Sequence, residues 1–425
     1  MEEAIVGELN ISKEESQFFN DNIKHLKNAE DLFLNNLDKD VTNLIKILIA
    51  SIIILKGSDI HIEPEEELVE IRLRIDGMLV NLAKINLQNY KKLLSRIKLL
   101  SRLKLNIEKE AQDGRFSINF DASEIEIRTS SLPSEYGESI VMRVLNPKNL
   151  ISLEELGLRS DLEKLFNEEI QKPNGMIIVT GPTGSGKTTT LYAFLKKISR
   201  PENKVITIED PIEYHLEGIT QTQVDEKKGY DFANGLRSIV RQDPDAILVG
   251  EIRDKETAET AIQAALTGHL VLSTLHTIGA TQSIARLEAL GEIATNIAPA
   301  INIVIAQRLV RKVCPHCMKL RDITEEELKM FERELSNNFT IKGIKQIAEV
   351  EGCEFCNNTG YKGRVGIFEA LVLDDELKDI ILSSSSPTQL KEKALEKGMT
   401  TIRQDGLIKV LNKETTLEEI KRVAG

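Results

Sequence analysis

Residues Gly181-Pro-Thr-Gly-Ser-Gly-Lys187-Thr188 form a complete phosphate-binding loop, G-x-x-x-x-G-K-[ST], and no other segment constrains the fold as strongly. Its glycines let the backbone curl closely around a polyphosphate with its N–H groups inward. Lys187 places a point charge at the β- and γ-phosphates, and Thr188 offers a hydroxyl to Mg2+. Such a loop joins a strand to a helix. Met176 to Val179 reads as a short buried strand and Thr189 to Lys197 as a helix, whose N-terminus then faces the phosphates. The candidate nucleotide-binding residues are therefore Gly181, Pro182, Thr183, Gly184, Ser185, Gly186, Lys187, Thr188 and Thr189.

The chain has 425 residues, enough for two or three domains with ample core. Apolar residues at 41% and charged residues at 29% are ordinary for a soluble globular protein. A net charge of −12 argues against a generally basic protein that coats nucleic acid. Met1-Glu-Glu-Ala4 lacks a basic region followed by an apolar core, so no signal peptide is read. The apolar stretch Leu44 to Leu55 is too short to cross a bilayer, which takes about 20 residues, and suits a buried helix. The expected location is cytoplasmic, with any membrane association through a partner.

The cysteines number four and fall in two C-x-x-C pairs, Cys314-Pro-His-Cys317 and Cys353-Glu-Phe-Cys356. In a reducing cytosol this is the pattern of a tetrahedral four-cysteine zinc site, each pair forming a knuckle. Taken alone, the first pair also suits a thiol–disulfide centre; the second pair favours zinc. Such a site is closed, so it is assigned no catalysis.

Residues 1 to 40 read as a short helical lead-in. Residues 41 to 150 read as a small α/β domain. It has an apolar helix over Val41 to Lys56, alternating strands such as Val69 to Ile75, an Asp76-Gly77 hairpin signal and a basic helix over Tyr90 to Lys104. Strands follow at Phe116 to Phe120 and Ile125 to Thr129. Residues 151 to 425 alternate short apolar runs with helical runs, the signature of a parallel sheet, with a zinc-binding insertion at about 312–360 and a helical C-terminal region.

In a parallel α/β sheet, ligands sit outside the carboxyl ends of the strands. After the strand that feeds the phosphate loop, Val205 to Ile208 ends in Glu209-Asp-Pro, Ala246 to Val249 in Gly250-Glu251-Ile-Arg253-Asp254, and Leu270 to Thr274 in Leu275-His276. Two carboxylates and an imidazole thus arrive where a γ-phosphate would lie. They fit the needs of nucleotide hydrolysis: a group to orient or deprotonate water and a support for Mg2+. Asp245 precedes its strand, roughly 13 Å from the phosphate end, which makes Glu251 the better placed acid. The competing readings are helix capping or surface charge for Glu209 and Glu251, and a hydrogen-bonded core residue for His276 and for His269.

Together these segments resemble the secretion-superfamily ATPases, in particular the motors of type II secretion and type IV pilus assembly. The carriers are Gly181 to Thr190, Ile208-Glu-Asp-Pro-Ile-Glu-Tyr214, Leu236 to Asp245 and Gly268 to His276, which match that family's Walker A, Asp box, Walker B and His box in order. Upstream, Ser58-Asp-Ile-His-Ile-Glu-Pro64, Gln112-Asp-Gly-Arg115 and Arg128-Thr-Ser-Ser-Leu-Pro133 look like its second N-terminal domain. The resemblance spans about residues 41 to 425. It implies a RecA-like ATPase domain, a PAS-like smaller domain and hexameric rings with nucleotide held between two domains.

By motif it implies ATP, Mg2+ and Zn2+ as cofactors, Glu209 as general base and Glu251 as the acid organising Mg2+ and water. Arg128 and Arg143 resemble the arginines that close over the γ-phosphate, and Arg237 and Arg241 an additional sensor pair. By themselves these arginines suit surface ion pairs. The four-cysteine insertion resembles assembly and export motors, whereas retraction motors characteristically lack it. Many members carry a long first domain that docks on an inner-membrane partner, and only about 40 residues precede Val41 here. The expected protein is a hexameric ATPase that drives pseudopilus or pilus assembly on an inner-membrane platform protein. The alternatives are a nucleic-acid translocase, a retraction motor and a nucleotide-binding scaffold without turnover. Low aromatic content, 4% with no Trp, leaves few stacking platforms for single strands and counts against the translocase.

Overall fold

The computed structural model describes residues 7–335, 339, 341, 343–383 and 386–425; the first six residues of the expected lead-in lie outside them. The chain forms two compact units. Residues 1–149 with 314–318 and 350–363 make one, and residues 150–313 with 319–349 and 364–425 make the other.

The first unit is built on a seven-stranded sheet. In chain order its strands are β1 (Glu8–Asn10), β2 (Asp59–Pro64), β3 (Leu68–Ile75), β4 (Met78–Asn86), β5 (Gln112–Phe120), β6 (Ser123–Ser134) and β7 (Gly137–Leu145), in spatial order β1-β5-β6-β7-β2-β3-β4. All pairings are antiparallel except β1 on β5. The β3–β4 hairpin turns at Asp76-Gly77, both at positive φ (50° and 83°), as the sequence signal requires. The lead-in is helical in α1 (Lys13–Asn22) and α2 (Leu26–Leu34) but also contributes β1. Its residue Leu9 is buried beside Ile118, so even three residues gain a place on the sheet edge.

Helices α3 (Val41–Ile54) and α4 (Leu87–Leu100) complete the layer. Because α3 packs against the sheet and against α1, α2 and α4, it is apolar nearly all round. The basic helix stops at Leu100, four residues short of its expected end. Its buried Lys98 donates to both oxygens of Glu138, at 2.8 and 2.9 Å, and to the Ile107 carbonyl, which satisfies the cation inside the core.

The second unit has a seven-stranded sheet of β8 (Gly175–Thr180), β9 (Val205–Glu209), β10 (Thr220–Gln223), β11 (Ala246–Val249), β12 (Leu270–Leu275), β13 (Ile301–Val313) and β16 (Tyr361–Val372), while β14 (Met318–Asp322) and β15 (Gln346–Val350) pair separately. Its order is β10-β9-β11-β12-β8-β13-β16, and the pairings from β10 to β13 are parallel. The central strands β8 and β11 read as apolar runs because both faces are covered, whereas the edge strand β10 is polar throughout. Met176 and Ile178 of β8 enter one core with Ile247, Val249 and Val271, while Ile177 and Val179 enter the other with Leu248 and Leu272.

Helices α5 (Ser160–Glu169) and α6 (Lys187–Ile198) cover the second face. Phe166 there meets Phe194 and Phe368 edge-on, with ring centroids 5.6 and 6.0 Å apart. Helices α7 (Phe232–Val240) and α8 (Lys255–Leu266) cover the first. This is the α/β architecture expected, and it puts the carboxyl ends of β8, β9, β11 and β12 side by side.

Candidate nucleotide and metal sites

Strand β8 delivers the chain into the phosphate loop at Thr180, whose hydroxyl donates to the Leu275 carbonyl at 3.0 Å and accepts from the Thr277 N–H at 2.9 Å. Gly181 has φ +147°, and a Cβ there would lie 2.4 Å from the Gln307 carbonyl oxygen and 2.7 Å from Ser185 Oγ. No other residue type fits. Gly186, at φ +89°, turns the chain into α6, which starts at Lys187, two residues earlier than the helical pattern suggests. Pro182, Thr183, Gly184 and Thr188 are exposed and Thr189 is half-buried; Thr190 is locked by Gln307 Oε1 at 2.7 Å. Among the described residues, the buried Ser185 Oγ has no hydrogen-bond partner. An unsatisfied hydroxyl inside a loop of this type suits a ligand that brings oxygen atoms.

Lys187 lies folded over the loop, its ammonium donating to the Gly181 carbonyl at 2.9 Å and the Pro182 carbonyl at 3.2 Å. Burial lowers its pKa; Glu251 opposes that and Arg308 adds to it. Lys187 therefore sits within the field of one acid and one guanidinium.

Glu251 lies just past β11. Its Oε1 pairs with Arg253 Nη2 at 2.5 Å and its Oε2 lies 3.4 Å from His276 Nε2, just past β12. Glu251 is 12% exposed and His276 52% exposed, so the acid is sheltered while the imidazole stays accessible. Hydrogen bonding to Glu251 raises the pKa of Arg253 further. The structure thus brings Glu251 and His276 together, with Lys187 in the field of Glu251.

Glu209, the last residue of β9, sits in a different setting. It is buried, and its carboxylate accepts from the Tyr192 hydroxyl, from Thr207 Oγ1 at 2.6 Å and from Gln221 Nε2 at 3.2 Å. Burial and the neighbouring carboxylate push the Tyr192 hydroxyl well above its ordinary range, so it stays protonated as a donor. A carboxylate has about four acceptor positions, so three donors leave one open.

The remaining candidates lie in local networks. Arg237 pairs with Glu256 at 3.0 Å, and Arg241, which caps α7, donates to Ser238 Oγ at 3.1 Å. Asp245 accepts from the Lys204 N–H at 2.7 Å where β11 begins, away from the loop end. His269 Nδ1 lies 2.9 Å from the Ala264 carbonyl at the end of α8, a structural contact.

In the first unit, Arg128 and Arg143 stand directly opposite each other on β6 and β7. The register extends the row in both directions: Arg115 faces Arg128, Asp59 faces Arg143 and Arg74 faces Asp59. Directly opposed residues share a sheet face, so four arginines and one aspartate form a line across five strands. Arg143 Nε meets Asp59 at 2.8 Å and Arg128 Nε meets Glu126 at 2.9 Å. Asp59 pairs with both Arg74 and Arg143, and Glu126 with both Arg115 and Arg128, so two acids offset the like charges opposed along the row.

Sequence reasoning missed Arg74, Arg115, Arg253, Arg308, Tyr192 and Gln307. Arg253 carried a signal, two residues after Glu251 at a strand end. Arg74 and Arg115 depend on register, Gln307 and Arg308 on β13, which the sequence reading did not register as a strand, and Tyr192, on α6, on its contact with Glu209.

The four cysteines come together in the first unit. Sγ separations are 3.9 Å for Cys314–Cys353, 3.8 Å for Cys317–Cys356 and 3.7 Å for Cys353–Cys356, and all four Sγ atoms lie within 4.8 Å of one another. Thiolates held at about 2.3 Å from a tetrahedral Zn2+ are about 3.8 Å apart, so the donor set fits zinc. Cys356 Sγ accepts from the N–H groups of Cys353 at 3.2 Å and Gly360 at 3.3 Å. Burial opposes its ionisation, but these backbone donors bring the thiol down to about 7. The knuckle is tied to the rest of its unit by the Leu26 N–H on Asn357 Oδ1 and the Gly363 N–H on Asp76 Oδ2, at 2.9 and 2.8 Å.

Comparison with known proteins agrees with this geometry. Residues 35–422 match the family described as type II/IV secretion system protein. Type II secretion system protein E of Aeromonas hydrophila is 43% identical over 401 residues, covering 94% of this chain and 79% of that protein. The type IV pilus assembly ATPase PilB of Thermus thermophilus is 43% identical over 401 residues, covering 93% of this chain but 44% of that longer protein. Among solved structures, the pilus retraction motor PilT with bound ADP superposes with a TM-score of 0.59 at 27% identity, over 88% of this chain and 95% of that one. The ATPase DotB of Legionella pneumophila shares the fold, with a TM-score of 0.65 at 22% identity over 89% and 95%. The chain belongs to the type II/IV secretion system protein family and is one of its motor ATPases.

Proposed function

We propose that this chain works as a homo-hexamer, hydrolyses ATP with Mg2+ at the Gly181–Thr189 loop, and uses the energy to drive assembly of a pseudopilus or pilus. One observation carries the reading: Glu251 and His276, just past neighbouring strands, lie 3.4 Å apart, with Lys187 of the phosphate loop in the field of Glu251. The relatives named for type II secretion and pilus assembly support the task. Among the described residues no helix is long and apolar enough to cross a membrane. We place the protein in the cytoplasm, at an inner-membrane platform protein that it reaches by contact.

In this reading the amides of the loop and Lys187 bind the β- and γ-phosphates. Thr188 and Glu251 would hold Mg2+, which neutralises charge developing on the phosphate oxygens. Glu251, steadied between Arg253 and His276, orients the attacking water. Glu209 is the base, aimed by Tyr192, Thr207 and Gln221. Arg128 and Arg143 are the cations for the γ-phosphate, which the family resemblance supports, and Arg237 and Arg241 act as a further sensor pair. Zinc at Cys314, Cys317, Cys353 and Cys356 cross-links two distant chain segments and has no part in the chemistry.

ATP turnover of the full chain and of Lys187→Ala tests the reading. Loss of at least ~100-fold is expected, since a cation on the reacting phosphates is removed; unchanged turnover would overturn it. Stimulation by DNA with a steep salt dependence would move the assignment to a translocase. A purified protein with about one zinc per chain supports the assembly side of the family over the retraction side.

A further inference from the structure

Arg308 lies in β13 two residues beyond Ala306, which pairs with Thr180 at the mouth of the phosphate loop. Its neighbour Gln307 packs its carbonyl against Gly181 and its side chain against Gly186 and Thr190. Arg308 therefore emerges where the loop begins. One end of its guanidinium is committed: Nη2 donates to the Ile278 carbonyl at 3.0 Å. The other is not. Nη1 is buried and has no hydrogen-bond partner among the described residues. A buried guanidinium N–H without an acceptor is costly, and the fork geometry favours an oxyanion as the missing partner.

Two further facts say which anion. Burial disfavours the charged form of Arg308, with Glu369 opposing, and Arg308 in turn lowers the pKa of Lys187, which Glu251 opposes, so two cations share one small space with an acid near each. An anion entering between the two cations relieves their mutual repulsion further. The segment that Nη2 holds, Ile278, follows His276 by two residues, and Glu369 secures the same turn by accepting the Ala280 N–H at 2.9 Å. Arg308 thus joins the phosphate loop to the turn that carries the partner of Glu251.

We propose that Arg308 Nη1 donates to the terminal phosphate of bound ATP while Nη2 keeps its bond to the Ile278 carbonyl, so that one guanidinium reads the γ-phosphate and holds the His276 turn against Glu251. The proposal rests on the Gly181–Thr189 loop being an ATP site. Arg308 is a substrate-contacting residue here and also a positioning residue for His276.

The test compares binding of ADP and of a non-hydrolysable ATP analogue, each with Mg2+, to the full chain and to Arg308→Gln and Arg308→Lys. In Arg308→Gln, affinity for the ATP analogue is expected to fall about 10- to 100-fold, as for loss of a charged hydrogen bond, while ADP affinity changes by less than about threefold. Arg308→Lys, whose point charge cannot serve both partners, recovers part of the ATP affinity but not turnover. Retained ADP binding shows that the variants fold. Equal losses for the two nucleotides, or none, overturn the role of Arg308. Failure of the unsubstituted chain to bind either nucleotide overturns the ATP-site reading instead.

Discussion

The phosphate loop and the arginine row of the first unit both gather hydrogen-bond donors, yet they are built in opposite ways. The loop is one contiguous segment in which nearly every residue is fixed by backbone geometry, down to a Gly181 whose Cβ would strike the Gln307 carbonyl at 2.4 Å. The row takes Arg74, Arg115, Arg128 and Arg143 from four strands and exists only because the register aligns them. The loop offers amides that cannot move away. The row offers side chains that rest on Asp59 and Glu126. We read the difference as a division of labour: the loop binds, and the row acts only when charge builds up on the γ-phosphate.

Substitutions can separate the two roles. The largest effect is expected for Gly181→Ala, which disturbs every donor of the loop at once. Nucleotide affinity, measured by titration with ADP and Mg2+, falls by at least ~100-fold, the scale of several charged hydrogen bonds. Arg128→Ala and Arg143→Ala come next. Turnover falls by about 1,000-fold, the lower range for a transition-state arginine, while ADP affinity stays within about threefold. If affinity and turnover fell together in these variants, the row would be a binding element like the loop and the contrast would fail.

A smaller effect separates the two histidines. His276→Ala lowers turnover about tenfold by freeing Glu251, whereas His269→Ala costs about 1 kcal/mol of stability through its lost bond to Ala264 and leaves turnover within twofold. Smallest for the chemistry is zinc removal. Chelation, or Cys353→Ser, is expected to lower the Tm of the first unit by several degrees, read by calorimetry, while nucleotide binding in the second unit persists.

How much of this could be read from the chain alone depends on whether a feature is local. The loop and the cysteine pairs were legible because their chemistry depends on short spacing. The parallel strands were legible because residues buried on both faces leave runs such as Met176 to Val179 with no polar member. The row was half legible: Arg128 and Arg143 came from a family resemblance, but Arg74 and Arg115 join it only through cross-strand register, which periodicity cannot supply. Arg308 was illegible for the same reason, since β13 had to be placed beside β8 before its exposed or buried state meant anything. Strand β1 escaped notice because three residues carry no periodic signal.

In this reading the strand-end cluster around the phosphate loop hydrolyses ATP rather than only binding nucleotide. Steady-state ATP turnover of Glu251→Gln, set beside its affinity for Mg2+ and a non-hydrolysable ATP analogue, decides between the two. Turnover is expected to fall at least ~100-fold with affinity retained within about tenfold, because water and metal lose their organising charge while the loop is untouched. Turnover equal to that of the unsubstituted chain would contradict hydrolysis at this cluster.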